Sequence, residues 1–342
     1  MRTNFRTRIL TNVTEMRGIV SDWSNLHERC PKSTPFQSPE WILAWADAFS
    51  PEKMRVVEVR RGDMLVGLVP LLIFPRGDED VLAFMAGGVS DYLDVVVDPR
   101  FACQACSAIL EATAEIEGWT ILDFTDLPAT SVLHRTDLVQ FKVPHDRCSS
   151  LKLPEAKQEL LQVLSKRQRA NLRNACSRLQ RAGGGTFELA SAETLPEFLE
   201  DLFRLHTDRW SQLGEAGVLA DEKVRILHCQ AAPHLLRRGT LGLYRLRVND
   251  RTVAALYTLL GCETVYCYLQ GFDPEFAHLS PGTQLMFFAL ENAIQRGMRK
   301  FDLLRGDEAY KKHWRSAPEA TYRIQLPRSA LNNLALLRQY AA

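Results

Sequence analysis

The sequence of 342 residues predicts a mixed α/β fold laid down twice along one chain, and three observations carry that prediction. Each half contains a pair of β-rich runs joined by a short polar turn. Each half then passes through a helical run ending in glycine, Glu117-Gly118 and Arg296-Gly297, into a short apolar strand holding Asp beside Phe (Asp123-Phe124 and Phe301-Asp302). The length also suffices for two domains of ordinary size, each burying its own core. Element order, rather than residue identity, makes the two halves a weak internal repeat.

Taken in order, residues 10–30 are predicted as a helix. Ser38-Pro39-Glu40 has the N-cap followed by proline at the first helical position, and Trp41, Ile42, Trp45 and Phe49 carry the helix on. Residues 54–60 and 64–74 read as a hairpin across Arg61-Gly62-Asp63. Further strands are expected over 81–85 and 92–97, then a helix to about residue 118 and a buried strand over 119–124. An extended crossing with Pro144 and Pro154 over 143–153 places the domain division at 1–148 and 149–342. The second half reads as helices over 154–182, 195–213 and 221–238. Strands 241–248 and 252–260 follow around Asn249-Asp250-Arg251, then strand 264–270, helix 282–296 and strand 300–304.

A net charge of +1 points neither to nucleic acid nor to a membrane surface. No run approaches the roughly 18–20 apolar residues of a membrane span. The basic start Met1-Arg2-Thr3-Asn4-Phe5-Arg6 lacks an apolar signal core, so no secretory peptide is expected. The eight cysteines have no disulfide-framework spacing, which suits a reducing cytoplasm. Cys103 and Cys106 form a C-x-x-C pair on a helical run with no second pair at ligand spacing, so no metal is expected.

Two segments carry the candidate chemistry. Leu279-Ser280-Pro281-Gly282-Thr283-Gln284 introduces an apolar helix. A helix N-terminus offers unpaired N–H groups and the positive end of a dipole, which suit a pyrophosphate. Gly282 permits close backbone approach, Ser280 is positioned to cap, and N–H groups from Gly282 to Leu285 face a bound phosphate in that reading; a capped helix that binds nothing has the same sequence. The second segment, Phe301 to Trp314, crowds Asp302, Asp307, Glu308, Lys311 and His313 at one strand-to-helix junction. Acyl transfer to an amine needs a base to take the ammonium proton and a donor for the thioester oxygen. A solvated helix start with Asp307–Lys311 pairing is the competing reading. Residues 165–181 carry Lys166, Arg167, Arg169, Arg173, Arg178 and Arg181 without an acidic residue. That face is either merely solvated or binds an anionic substrate or tRNA. Asp91-Tyr92 is a turn and core residue or part of an acceptor site. His206, Asp208, Arg209 and Trp210 form a polar helix face or the wall of an acceptor pocket.

Asp302-Leu303-Leu304-Arg305-Gly306-Asp307-Glu308-Ala309-Tyr310-Lys311-Lys312-His313-Trp314 resembles the C-terminal motif of GNAT-superfamily acyltransferases of the CelD-like group, associated with cellulose and exopolysaccharide loci. The resemblance extends to Gln270-Gly271-Phe272-Asp273-Pro274-Glu275-Phe276, Ser280-Pro281-Gly282, Phe36-Gln37-Ser38-Pro39-Glu40-Trp41, Ser90-Asp91-Tyr92 and the basic helix from Lys166 to Arg173. One departure is that His278 to Gln284 supplies a single glycine and Thr283, where many GNAT enzymes have Arg/Gln-x-x-Gly-x-Gly/Ala. The resemblance implies two tandem GNAT-like domains, as in Fem-type peptidoglycan aminoacyltransferases, each a mostly antiparallel twisted sheet flanked by helices. The N-terminal domain is then the degenerate, acceptor side and the C-terminal domain the donor side.

The expected function is transfer of an acyl group, acetyl above all, from acyl-CoA to an amine or hydroxyl of a saccharide or peptide acceptor in cell-envelope or exopolysaccharide biosynthesis. Aminoacyl transfer from tRNA and a non-catalytic binding role are the alternatives. Glu308 is the expected base with Asp302 as its alternative, and Tyr310 the proton donor to the leaving thiolate. Ser280, Gly282, Thr283, Gln284 and Leu285 are expected to hold the acetyl-CoA or other acyl-CoA co-substrate. Asp91, Tyr92, Gln270, Arg305, Lys311 and Trp314 are expected to bind the acceptor.

Overall fold

A computed structural model describes residues 5–212 and 214–341. Residues 1–4 of the basic start and Leu213, the expected end of a helix, lie outside the described residues. The chain forms two compact units, Met1–Asp146 with Ala320–Ala342, and Arg147–Glu319. The first crossing lies near the expected division at 148/149. The tail from Ala320 departs from the expected 149–342 domain, because Thr321–Pro327 pair with a strand of the first unit.

The first unit contains β1 (Phe5–Leu10), β2 (Met54–Arg61), β3 (Met64–Arg76), β4 (Glu79–Phe84), the two-residue β5 (Val96–Val97) and β6 (Ile121–Pro128). Its helices are α1 (Val13–Gly18), α2 (Val20–Arg29), α3 (Pro39–Phe49) and α4 (Ala102–Glu115). The sheet runs β1-β2-β3-β4-β6, antiparallel until β6, which pairs parallel to β4. The helix expected over 10–30 is replaced by β1 and two short helices. Asn12 caps α1 by accepting from the Glu15 N–H, so the helix cannot reach back to Leu10. Of the strand expected over 92–97, only β5 forms, on β3. Ser38 caps α3 as expected, with Pro39 at its first position. Leu82, Phe84, Ile109, Leu122, Phe124 and Ile324 belong to the core of this unit.

The second unit contains β7 (Lys142–Lys152, from Arg147 onward), β8 (Thr186–Leu189), β9 (Leu241–Val248), β10 (Arg251–Leu260), β11 (Thr264–Phe272) and β12 (Lys300–Arg305). Its helices are α5 (Leu160–Val163), α6 (Lys166–Arg181), α7 (Leu195–Gln212), α8 (Glu222–Arg237), α9 (Pro281–Gln295) and α10 (Ala309–His313). The single helix expected over 154–182 is broken, because Ser165 caps α6 by accepting from the Gln168 N–H. The strand order is β7-β12-β11-β10-β9-β8, antiparallel except between β11 and β12. Buried Leu285, Met286, Ala289, Leu290, Ala293 and Ile294 give α9 one apolar stripe at helical spacing. With α6 it covers one face of the sheet, while α7 and α8 cover the other. Each such leucine contributes roughly 1.5–3 kcal/mol.

The repeat read from element order is matched by topology. In both units an antiparallel meander leads through a helix into a strand parallel to the meander's last member. That strand then takes an antiparallel partner, β7 for β12 in one unit and β13 (Ala317–Pro327) for β6 in the other. Both added strands meet a register irregularity, beside positive-φ Leu304 and Asp126 respectively. A last helix, α11 (Arg328–Ala341), and strands β1, β8 and β13 were not expected.

Candidate functional site

In the second unit β11 and β12 are paired only from Thr264↔Lys300 to Tyr266↔Asp302. Beyond that point β11 runs on to Phe272 with no ladder bond to β12. It also bulges against β10, where Tyr268 has no opposite residue. Loss of pairing leaves a cleft of about 130 Å3. Its lining includes Gln270, Phe272, Gly282, Thr283, Tyr310 and Trp314. The backbone of β11 also closes on α7, since a Cβ at Gly271 would overlap the backbone of Leu205 and His206. Only glycine fits there.

The first turn of α9 forms one wall. Pro281 lacks an N–H, and the Gln284 N–H donates to the Ser280 carbonyl. Gly282 and Thr283 therefore carry the first-turn amides free of an intrahelical partner, and both line the cleft. The expected cap by Ser280 does not form: Ser280 is left-handed at φ 53, ψ 51, and its hydroxyl accepts from Arg178 Nη2 at 3.0 Å. That arginine brings a cation to the same helix start. Gln284 is buried and donates to the carbonyls of Leu279 (2.8 Å) and Ala175 (3.4 Å), while Leu285 sits in the core. These two hold the turn in place instead of facing the cleft.

The acidic loop sorts into structural and accessible groups. Asp302 is 1 % exposed; its Oδ1 accepts from the Leu304 N–H at 2.9 Å and its Oδ2 lies 3.3 Å from Lys300 Nζ. It thus pins the strand exit instead of facing the cleft, with Lys300 as an ion-pair partner. Leu304 (φ 60) and Gly306 (φ 105) turn the chain out of β12. Lys311 is 2 % exposed and donates to the carbonyls of Leu304, Arg305 and Gly306, with Glu308 Oε2 at 2.9 Å. An ammonium spent on three carbonyls and a carboxylate holds the loop and has no donor left for an acceptor. The expected Asp307–Lys311 pair is absent, because Asp307 meets Lys312 at 3.3 Å. Glu308 is exposed, its carboxylate lies over Gly306, and it is not among the residues that line the cleft. Arg305 is half-buried, and its carbonyl serves Lys311.

Tyr310 lines the cleft and is hydrogen-bonded to the Gln270 side chain. Burial pushes its hydroxyl well above the ordinary tyrosine range, reinforced by Cys267 and Glu308. It therefore remains protonated at any physiological pH. Buried Cys267, behind it on β11, is pushed up to about 12 by burial and stays a thiol. Trp314, 3 % exposed, closes the floor. Asp91 and Tyr92 are buried in the first unit, away from this cleft's lining.

The cleft also takes in Gln168 from α6, Arg209 from α7, Met286 from α9 and His313 from α10. Gln168 and Met286 were not singled out in the sequence, whereas His313 belonged to the charged junction after Phe301 and Arg209 to the helix face read as a polar face or a pocket wall. Arg209 stacks over Phe272 at 5.6 Å. Its only signal in the sequence was the polar group with His206, Asp208 and Trp210. Among the described residues no cluster of three or more His, Cys, Asp or Glu side chains is arranged to hold a metal ion, and no helix is long and apolar enough to cross a membrane.

Residues 166–312, which span this site, match the acetyltransferase (GNAT) domain family. The fold of the chain is shared with FemX at a TM-score of 0.67 and 14% identity, covering 96% of this chain and 99% of that one. A conserved protein of unknown function from Bacteroides thetaiotaomicron has a TM-score of 0.62 at 12% identity, covering 94% and 99% of the two chains. L-PGS from Bacillus licheniformis has a TM-score of 0.50 at 13% identity, covering 75% and 80%. No curated protein sequence matches the chain significantly. Residues 166–312 thus match a GNAT-type acetyltransferase domain, and the chain has a mixed α/β fold shared with FemX.

Proposed function

We propose that the second unit transfers an acyl group, acetyl in the first instance, from acyl-CoA to an amine or hydroxyl of a saccharide or peptide acceptor, in a CelD-like envelope or exopolysaccharide setting. The observation that carries this reading is one cleft lined by both the free first-turn amides of α9 and the buried hydroxyl of Tyr310. Gly282 and Thr283 bind the donor pyrophosphate with the dipole of α9 behind them, and Arg178 adds charge at the same helix start. The acceptor nitrogen or oxygen attacks the thioester carbonyl carbon while Glu308 takes its proton. The C–S bond then breaks, and Tyr310 gives its proton to the departing thiolate. Gln270 orients the Tyr310 hydroxyl, and Trp314 keeps water from the thioester.

Tyr310→Phe tests this directly. Turnover should fall roughly 10²–10⁴-fold with CoA affinity kept. Gly282→Asp should do the reverse and abolish CoA binding in a folded protein, since a Cβ there meets only Phe272 Cδ1 at 3.8 Å. Undiminished turnover in the first variant removes Tyr310 from the chemistry, and unchanged CoA affinity in the second removes the donor from this helix start. Aminoacyl-tRNA as donor is the second reading. The exposed cations Lys166, Arg167, Arg173 and Arg181 of α6, with no ion pair among the described residues, favour it. CoA binding without turnover on any acceptor would support a binding role.

A further inference from the structure

The first unit has a cleft of its own, about 220 Å3, formed where α2 ends and the segment around β5 passes beneath it. It lies wholly before residue 166, where the acetyltransferase match begins. Its walls are mostly apolar, from Val95, Val96, Val97 and Val132, and two exposed cations, Lys32 and Arg135, line it as well. Neither cation has an ion pair among the described residues.

Asp94 is the one carboxylate in the lining. Its Oδ1 accepts from Ser131 Oγ at 2.7 Å and from the Val95 N–H at 2.8 Å. Burial pushes it up to about 7 despite those bonds and the charge of Lys32. Near neutral pH the two cations therefore face at most about half a negative charge. The neighbouring acid, Asp98, is already bridged to Arg29 (3.1 Å) and Arg100 (2.7 Å). Cys30 donates to the Val97 carbonyl and, pushed up to about 12, adds no charge. An apolar chamber with a net positive lining suits one ligand chemistry.

We infer that this cleft binds a small amphipathic anion, its apolar body against Val96, Val97 and Val132 and its phosphate or carboxylate head at Lys32 and Arg135. The site is independent of the donor cleft and of the reaction proposed there.

Calorimetric titration of the full chain with octyl phosphate and octanoate, each below its micelle concentration, tests the site and separates the two head groups. Octyl glucoside tests the apolar body alone, and inorganic phosphate the head alone. One of the two anions should saturate at one equivalent, at least tenfold tighter than either control. Lys32→Glu with Arg135→Glu should weaken that binding at least tenfold, while Gly282→Asp leaves it unchanged. Both cations are exposed, so the double variant should keep the wild-type melting point. Octanoate, whose charge is constant in this range, should bind more weakly as pH rises from 6 to 8, and Asp94→Asn should flatten that dependence; octyl phosphate, which gains its second charge there, is compared at a single pH. Equal binding of octyl glucoside, unchanged affinity in the double variant, or no binding of either anion would overturn the assignment.

Discussion

Lys311 shows how a charged side chain in a motif can be structural. Its ammonium is buried and bonded to three consecutive carbonyls and to Glu308. The three oxygens belong to the turn that Leu304 and Gly306 make with positive φ. Asp302 and Glu308 flank this staple with different exposures, so their variants should separate cleanly. Asp302→Asn should lower the melting point, because it weakens the bond to the Leu304 N–H and the pair with Lys300. Glu308→Gln should also lower the melting point, since buried Lys311 loses its carboxylate partner, but it alone should lower turnover roughly 10²–10⁴-fold with CoA affinity kept, erasing the acidic limb of the pH–rate profile. Turnover near normal in Glu308→Gln would move the base elsewhere, with His313 in the cleft the next group to change.

At the scale of elements, α6 has both a structural and an exposed set of cations. Arg169 donates to the carbonyls of Leu161 and Leu164, and Arg178 donates to Ser280. Lys166 and Arg173 are exposed and make no such bond. Reversing those two to Glu should weaken a polyanionic donor such as charged tRNA far more at low salt than at high salt, with little change in CoA affinity. A salt-independent activity equal to wild type would make this face merely solvated. Much of this level was legible in the sequence. The hairpins, the helix after Ser280 and the strand before Asp302 have strong local signals of periodicity, caps and turns. What escaped was non-local. β1 and β8 are short edge strands and β13 follows a turn rich in charge, so their strand character comes from the partner they pair with. Breaks at Asn12 and Ser165 depend on caps inside runs whose apolar spacing continues. The cleft drew Gln168 from a helix distant in sequence, where nothing local marks it, and Arg209 from a polar helix face whose local pattern does not say what it meets. Asp302 and Lys311 were noticed for their charge, but only burial reveals that they are spent on backbone.

For the whole molecule, Asp94 of the first unit and the two buried histidines of the second respond to acid with opposite signs, while His134 in the first unit, also lowered by burial, offsets part of the Asp94 effect. In the second unit burial pushes His206 down to about 4 and His228 down to about 3. The unfolded chain takes up protons at about 6.5, so the stability these neutral rings contribute is lost as pH falls from there through 4 and 3. In the first unit the raised Asp94 does the reverse. The folded state holds a proton that the unfolded state releases, so stability grows as pH falls from about 7 toward 4. Scanning calorimetry at pH 7.5 and 5.5 should show the second unit's transition moving down and the first unit's holding or rising. Both transitions falling together would contradict it. The chain order adds a constraint in time. The second unit is an insertion within the first, because β13, the antiparallel partner of β6, is made only after Glu319. The whole of the second unit is therefore synthesised before the first has its closing strand. The waiting edge of β6 is exposed to wrong partners for all of that interval, so fast, independent folding of the inserted unit protects the one that was begun first.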